Sequence, residues 1–558
     1  SLKILNSELM RTSSLKDLRE LNKPESSAFE KKLLRCVTRA KLVRRKTLAL
    51  YNKQEVAFCK LMSPQLFDRA LNIKLIPKDD YPGVIHSDVQ SAYLPFVSFK
   101  YPAKDEHLKS LADCADLFIP DFTRIRPIPN VLWNGNEEFM LTLTDGAGKR
   151  SFAYCVKYLK KRHEKDANSA STSTEGFLPE VFTIISPIHA PPFYLALVRE
   201  CVNYVDKGQE TLVNFLDAIF NRPFPAKGSA LCLIENPDSE RKRQFVIRSE
   251  GQQMGRANCS LVVERIGVEV SVSIIAALLA EQKVLIGGES VKTVSHTVQT
   301  FATLLQPFCW PYTLVPVLPD TLLELANSPT PCFLGVLRQN MHKLKQLLVG
   351  TGEPNSDDLF QDDIVIVDPD VGIFVPHPNV LCPNDAHTDL VEMKKRCALA
   401  LCEKLLLPKK LAIALITAFK DALSNGVGPQ ADALLQKAMI TWFVSLLGHY
   451  KAFNLPQAYL YDLRGNPDAL RSALCSFVVA HPSKTSRRFI EWFVETGLFR
   501  DWLRKKAAIL ANDSVNDTET WEDAANRKFD ELTQTVPTPI SQGRISNIFA
   551  RASTALFR

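Results

Sequence analysis

The spacing of hydrophobic positions changes character three times along this chain. From about Ala92 to Ser186 the pattern is that of alternating strands with one or two helices among them, the strands marked by a period of two. Phe139 to Thr144 and Arg150 to Val156 are two such runs with Asp145-Gly-Ala-Gly148 between them, and they predict a β-hairpin. From Pro191 to about Leu348, helix-spaced runs at 193–206, 209–221, 271–281, 290–306 and 319–327 are interleaved with short apolar segments at Val284, Thr313 and Phe333. Such alternation requires crossover connections and a largely parallel sheet covered on both faces. Ile364 to Asp368 adds one more buried strand. Beyond Ala386 the period is helical almost throughout, over about 386–407, 410–424, 429–453, 467–480 and 485–510, which predicts an orthogonal or bundled helical unit. The last forty or so residues read as a loosely attached tail.

The longest stretch without a charged residue, Thr293 to Pro319, is long enough to span a bilayer. It carries Pro307, Pro311, Pro316 and Pro319, so it reads as a buried helix, a turn and a buried strand, and no transmembrane helix is expected. Ser1 opens the chain without a hydrophobic leader, so no signal peptide is expected either. With 558 residues, 46% hydrophobic and 23% charged, the chain has the composition of a globular protein of several packed units.

The 68 basic and 61 acidic residues leave a net charge of +7, too thin to imply nucleic acid when spread evenly. The distribution says more. Lys31 to Lys53 holds nine basic residues and no acidic one, among them Arg35, Arg39, Arg44, Arg45 and Lys46, with Leu33, Leu34, Val37, Ala40, Val43 and Leu48 between them. The stretch reads either as a contact for an anionic membrane or acidic partner or as a solvated helix lying on the globular body. Glu353 to Asp370 carries seven acids and no base, without the alternating ligands, central glycine and closing glutamate of an EF-hand loop.

Candidate chemistry is sparse. Thirteen cysteines are scattered without any CxxC pair, which fits reduced core thiols of the cytosol and not zinc or a redox motif. No GxSxG, HExxH, complete GxGxxG or Walker loop occurs. Gly146-Ala-Gly148-Lys149 fails as a phosphate loop, because Leu143 stands where the first glycine is needed and Arg150 follows the lysine. Gly287-Gly288-Glu289-Ser290 joins a strand to a helix start, where free amides favour an anion; Glu289 already supplies that charge, so a structural turn is the better reading. The aromatic and proline-rich segments Phe308 to Tyr312, Val315 to Pro319 and Ser328 to Gly335 remain. As loops of an α/β sheet they gather near strand ends, where open sheets present functional surfaces; rigid loop packing is the alternative, and Trp310 is expected in the core.

These segments resemble the DENN module of Rab guanine-nucleotide exchange factors. The resemblance rests on Phe139, Thr142, Gly148, Arg150, Phe152, Tyr154 and Cys155 upstream. In the core it rests on the helix ending at Glu281, Lys283-Val-Leu-Ile, Trp310-Pro311, Pro316-Val-Leu-Pro319 and Pro329-Thr-Pro331. Downstream it rests on Phe443 to Tyr450, Phe489 to Phe493, Glu495, Thr496 and Phe499. Each motif is weak alone, and their common order carries the signal. Gln282 and Cys332 depart from the family's pattern, with Phe333 displaced by one.

The resemblance implies an α/β (α+β overall) protein with a longin-like antiparallel N-lobe, an α/β C-lobe with a mostly parallel sheet, and an all-helical C-terminal part. The corresponding divisions are a basic helical extension over 1–90, an upstream lobe over 91–188, a core lobe over 189–350, an acidic loop and helical part over 351–510, and a tail over 511–558. It further implies exchange activity toward a Rab in its GDP-bound or nucleotide-free form, with no covalent chemistry and no cofactor or metal. The expected setting is cytoplasmic, with peripheral recruitment to endosomal, Golgi or vesicle membranes. Trp310, Tyr312, Ser328, Pro329, Thr330, Pro331 and Phe333 are then expected at the Rab face. A DENN-fold scaffold or effector without exchange activity is the alternative. A GTPase-activating variant would need an arginine finger, and the sequence singles out no arginine for it.

Overall fold

Strands that are apolar on both faces must be covered twice, and the first lobe is built around that requirement. The computed structural model describes residues 65–82, 91–103, 115–128, 133, 135–144, 150–159, 177–225, 230–234, 242–246, 258–349, 364–370, 373–375, 398, 401–403, 405–511 and 521–535. In it β1 (Arg69–Pro77), β2 (Tyr93–Tyr101), β3 (Glu137–Thr144), β4 (Arg150–Tyr158) and β5 (Glu180–Ser186) form an antiparallel sheet in the order β2-β1-β5-β4-β3. Along β4, Tyr154, Val156 and Tyr158 belong to one core and Ala153 and Cys155 to the other, as a two-residue repeat demands. The first face packs on α1 (Pro191–Val205) and α2 (Gln209–Phe220). The second packs on Phe118, Ile119 and Phe122 and on Val291, Val294, Val317 and Leu337 of the next lobe.

The predicted hairpin is β3 and β4, in register from Glu137 with Lys157 to Thr144 with Arg150. The sheet also takes an inner strand, β1, from residues placed above in the N-terminal extension. Burial is nearly continuous from Ala70 to Leu75, with only Lys74 partly exposed, as an inner strand covered on both faces requires.

A two-stranded hairpin, β6 (Ala230–Ile234) with β7 (Lys242–Val246), separates this lobe from the second. The second sheet orders β12-β11-β8-β10-β9, where β8 is Lys283–Gly288, β9 Thr313–Leu318, β10 Cys332–Leu337, β11 Ile364–Asp368 and β12 Ile373–Val375. The four strands β11, β8, β10 and β9 run parallel, and β12 closes the other edge antiparallel to β11. Every residue of β8 and β10 is buried, which explains their continuous apolar runs. One face packs on α3 (Cys259–Ile266), α4 (Val268–Leu279) and the helical region; the other packs on a 3-10 segment, Asp320–Asn327, and on α6 (Met341–Val349). α5 (Val291–Leu304) connects β8 to β9. The charge-free stretch is thus the expected buried helix, turn and strand, with α5 and β9 as its ends.

The helical region comprises α7 (Lys409–Leu423), α8 (Pro429–Leu447), α9 (Leu455–Leu463), α10 (Pro467–Ala480), α11 (Lys484–Phe493), α12 (Gly497–Ala511) and α13 (Trp521–Thr535). The run expected over 485–510 is two helices. Thr496 ends one and caps the other, its hydroxyl donating to the Phe493 carbonyl at 2.6 Å and accepting from the Phe499 N–H at 3.2 Å. Part of the expected loose tail is α13, docked through the buried Ala525 and Phe529. The expected helix over 386–407 lies mostly outside the described residues, as does the acidic run from Glu353 to Asp363.

Candidate functional site

The two lobes meet along the outer edge of β3, which has no strand partner there among the described residues. An edge strand leaves alternate N–H and C=O groups unsatisfied. At Met140 both are met by one hydroxyl of α5: Ser295 Oγ accepts from the Met140 N–H at 3.2 Å and donates to its carbonyl at 2.9 Å, fully buried. Between the lobes the Thr321 hydroxyl also donates to Asp116, while within the first lobe Arg199 of α1 pairs with Glu138 of β3 at 2.8 Å. The apolar part of the junction uses Val317 and Leu337, at the carboxyl ends of β9 and β10, and Val291 and Val294, just past the end of β8. The first lobe therefore covers the end of a parallel sheet at which open α/β folds bind ligands.

The residues expected at the partner face lie at the opposite end. Thr313 pairs with Cys332, so the loops entering β9 and β10 run side by side at the amino ends of the strands. Within them the side chains divide sharply. Trp310, Pro331 and Phe333 are buried; the Trp310 ring packs edge-on against Tyr312 at 5.4 Å and Phe333 at 6.4 Å, and its indole N–H donates to the Thr313 carbonyl at 3.1 Å. Large apolar rings at the start of a fully buried strand are drawn into the core, so these three support the loops and present no side-chain surface. Tyr312, Ser328 and Thr330 are half-buried and Pro329 is exposed. Ser328 and Thr330 share a hydroxyl–hydroxyl bond of 2.8 Å, a local turn that stiffens the loop.

Two contacts hold the first of these loops. Arg150, opening β4, donates from Nη1 to the Trp310 carbonyl at 2.6 Å and from Nη2 to the Tyr312 carbonyl at 2.5 Å. From the other side α12 begins at Gly497, where a Cβ would run into the Tyr312 hydroxyl. Glu281, at the turn before β8, accepts from the Leu498 N–H at 2.9 Å, placing a carboxylate at the positive end of α12.

At the carboxyl ends of the strands sits a charged cluster that the sequence reading did not assemble. Arg338 ends β10 and holds Asp368 through two bonds of 3.0 and 2.9 Å, Glu289 at 2.6 Å and Asp370 at 3.1 Å. The Asp368 bonds, foremost, and the surrounding carboxylates raise the guanidinium pKa above its ordinary value. Glu289 also donates its N–H to Asp370 at 2.8 Å, and Ser290 caps α5 by accepting from the Thr293 N–H. The strand-to-helix turn is structural, as expected. The signal for the cluster is a charged residue at or just past the ends of three buried strands, Glu289 after β8, Arg338 after β10 and Asp368 closing β11. Arg338 is engaged by all these carboxylates and is not presented as a free arginine finger.

Among the described residues no group of three or more His, Cys, Asp or Glu is placed to hold a metal, and no helix is long and apolar enough to cross a membrane. Arg35, Arg39, Arg44, Arg45 and Lys46 lie outside the described residues.

Residues 177–353 match the family model of the DENN (AEX-3) domain. They begin before β5 and run past α6, so they contain the parallel strands β8, β9 and β10 and both predicted loops. The chain is 23% identical to DENN domain-containing protein 2B of Homo sapiens over 515 residues, which is 90% of this chain and 40% of that protein. It is 23% identical to protein 2A of Mus musculus over 75% of this chain and 38% of that protein, and 24% identical to the mouse protein 2D over 73% and 77%. The chain thus spans about two fifths of the length of the 2A and 2B proteins. The ordered motifs and the matched model agree: the chain carries a DENN (AEX-3) domain over 177–353 and is similar over most of its length to the DENN domain-containing 2 proteins.

Proposed function

We propose that this chain promotes GDP release from a Rab-type small GTPase and acts in membrane trafficking. The observation that carries the reading is the DENN match over 177–353, on a lobe locked to an antiparallel partner lobe. Exchange requires no nucleophile or metal in the catalyst. The chain binds the nucleotide-free GTPase more tightly than the nucleotide-bound form, and that difference in affinity draws the switch loops away from magnesium and phosphate. Tyr312, Ser328, Pro329 and Thr330 contribute surface to the GTPase face, and Trp310, Pro331 and Phe333 hold that surface in shape from beneath. Release of a fluorescent GDP across a panel of Rab proteins is the test. Acceleration that is catalytic in this chain is the expected result, and no acceleration for any Rab rejects the reading. A scaffold or effector would instead show preference for the GTP-bound form in a binding assay.

The basic stretch Lys31 to Lys53 adds peripheral attraction to anionic endosomal, Golgi or vesicle membranes in the same proposal. Deleting it is expected to reduce sedimentation with phosphatidylserine vesicles at low salt, an effect that salt diminishes. Unchanged sedimentation would reduce the stretch to a solvated helix.

A further inference from the structure

The residues 310–312 touch all three parts of the molecule at once. Arg150 reaches them from the antiparallel lobe through two carbonyls. They enter β9 of the parallel lobe. The start of α12 stands against the Tyr312 ring so closely that only a glycine fits at 497, while Glu281 fixes that helix end to the turn before β8. Trp310 is buried among Tyr312, Phe333 and the helical core. The tripeptide therefore cannot shift toward one neighbour without leaving another.

We propose that Arg150 is a positioning residue: through the Trp310 and Tyr312 carbonyls it sets the spacing of the two lobes, and α12 acts on the same spacing from the opposite side through Tyr312. Carbonyl oxygens are acceptors only, and a guanidinium is the one side chain whose planar fork presents parallel N–H donors to two of them at once. A lysine has donors enough, but on a single nitrogen without the planar fork that fixes both carbonyls in one geometry. The helical region becomes a means of adjusting the lobes, because a change at the α12 start is transmitted through the packed Tyr312 ring and not by a hinge. In an exchange factor that grips its partner with both lobes, lobe spacing governs affinity for the nucleotide-free form; this last step rests on the exchange reading above, and the rest does not.

The test uses the full chain with donor and acceptor fluorophores at the exposed Glu210 and Gln346, attached through a genetically encoded non-cysteine handle because the chain has thirteen cysteines. Arg150→Met and Gly497→Ala are each expected to shift or broaden the inter-lobe distance distribution, with Arg150→Lys intermediate. The double variant should show less than the sum of the two shifts, because both act on one tripeptide. Circular dichroism and a cooperative melt establish that each variant is folded. Arg150→Lys, which keeps the charge and most of the stem, decides the matter should Arg150→Met fail to fold. Unchanged distances in the folded variants, or shifts that simply add, would overturn the proposal whatever the exchange assay gives. If the unmodified chain does accelerate GDP release, kcat/KM should fall about tenfold in Arg150→Met, equivalent to about 1.4 kcal/mol, and less in Arg150→Lys. Shifted distances with no exchange in the unmodified chain reject the exchange reading alone.

Discussion

A buried histidine records its surroundings in its acidity, and His449 does so clearly. Its ring stacks on Phe477 at 4.2 Å, Nε2 donates to the Phe477 carbonyl at 3.0 Å, and Nδ1 has no hydrogen-bond partner among the described residues. Burial, foremost, and then the neighbouring His481 lower its pKa to about 4, against the carbonyl's opposing pull. His296 is also lowered to about 4, by burial and then by Lys292. The unfolded chain then binds more protons between pH 6.5 and 4. The stability tied to these rings is complete above about pH 6.5, declines as pH falls, and levels off below about pH 4, with His449 accounting for about 3 kcal/mol of the loss. We expect His449→Gln to flatten the fall in Tm between pH 7 and 5, leaving the shares of His296 and of His481, whose pKa burial also lowers. A slope identical to that of the unmodified chain would show that His449 does not titrate in this window. Single residues are also where the sequence was least legible. Trp310 is buried, in keeping with its expected place in the core, although it was also expected at the Rab face. The double bond from Arg150 to Trp310 and Tyr312 was not foreseen, since its partners are backbone atoms 160 and 162 residues away, and backbone carbonyls leave no mark in a sequence.

Elements were legible where one period ran unbroken. The uniformly apolar β8 and β10 and the alternating β3 and β4 were each read from their own residues. α13 was missed because Ala525, Phe529 and Leu532 form a thin stripe in a polar segment of low apolar content. Its anchor becomes visible only when Tyr450 and Trp502 are brought beside it, with the Phe529 and Trp502 rings 5.7 Å apart. Lys506 completes the dock: it is buried, pairs with Asp530 at 3.0 Å and lies over the Tyr450, Trp502 and Phe529 rings. Emptying that socket with Phe529→Ala should cost about 3 kcal/mol. Amide hydrogen exchange should show protection lost across α13 and kept in both sheets. Equal loss everywhere would mean that α13 is part of a single cooperative unit with the lobes.

At the scale of the whole molecule, the division into an antiparallel lobe, a parallel lobe and a helical region was readable from the succession of periods. The way the parts fit together was not, because pattern within a strand says nothing of what covers its edge. Ser295 is the case in point: a serine in the middle of a helix whose value lies in Met140, 155 residues away. Ser295→Ala leaves the side-chain volume nearly unchanged and removes both bonds. It should lower stability by about 1–3 kcal/mol, the cost of stranding a buried N–H and C=O, read as a lower urea midpoint with the m-value kept. An unchanged midpoint would mean that the Met140 groups have another partner. The same seam bears on self-association. A sheet has two edges, and the β2 edge carries Pro95, which cannot donate, and Lys100, whose charge discourages a second chain. β3, Glu-Glu-Phe-Met-Leu-Thr-Leu-Thr, has no such device along its apolar half and relies on α5 and β9 to shield it. Cut away from the parallel lobe, the antiparallel lobe would offer that half-strand as a template for copies of itself, so the two lobes protect each other from aggregation as well as from solvent.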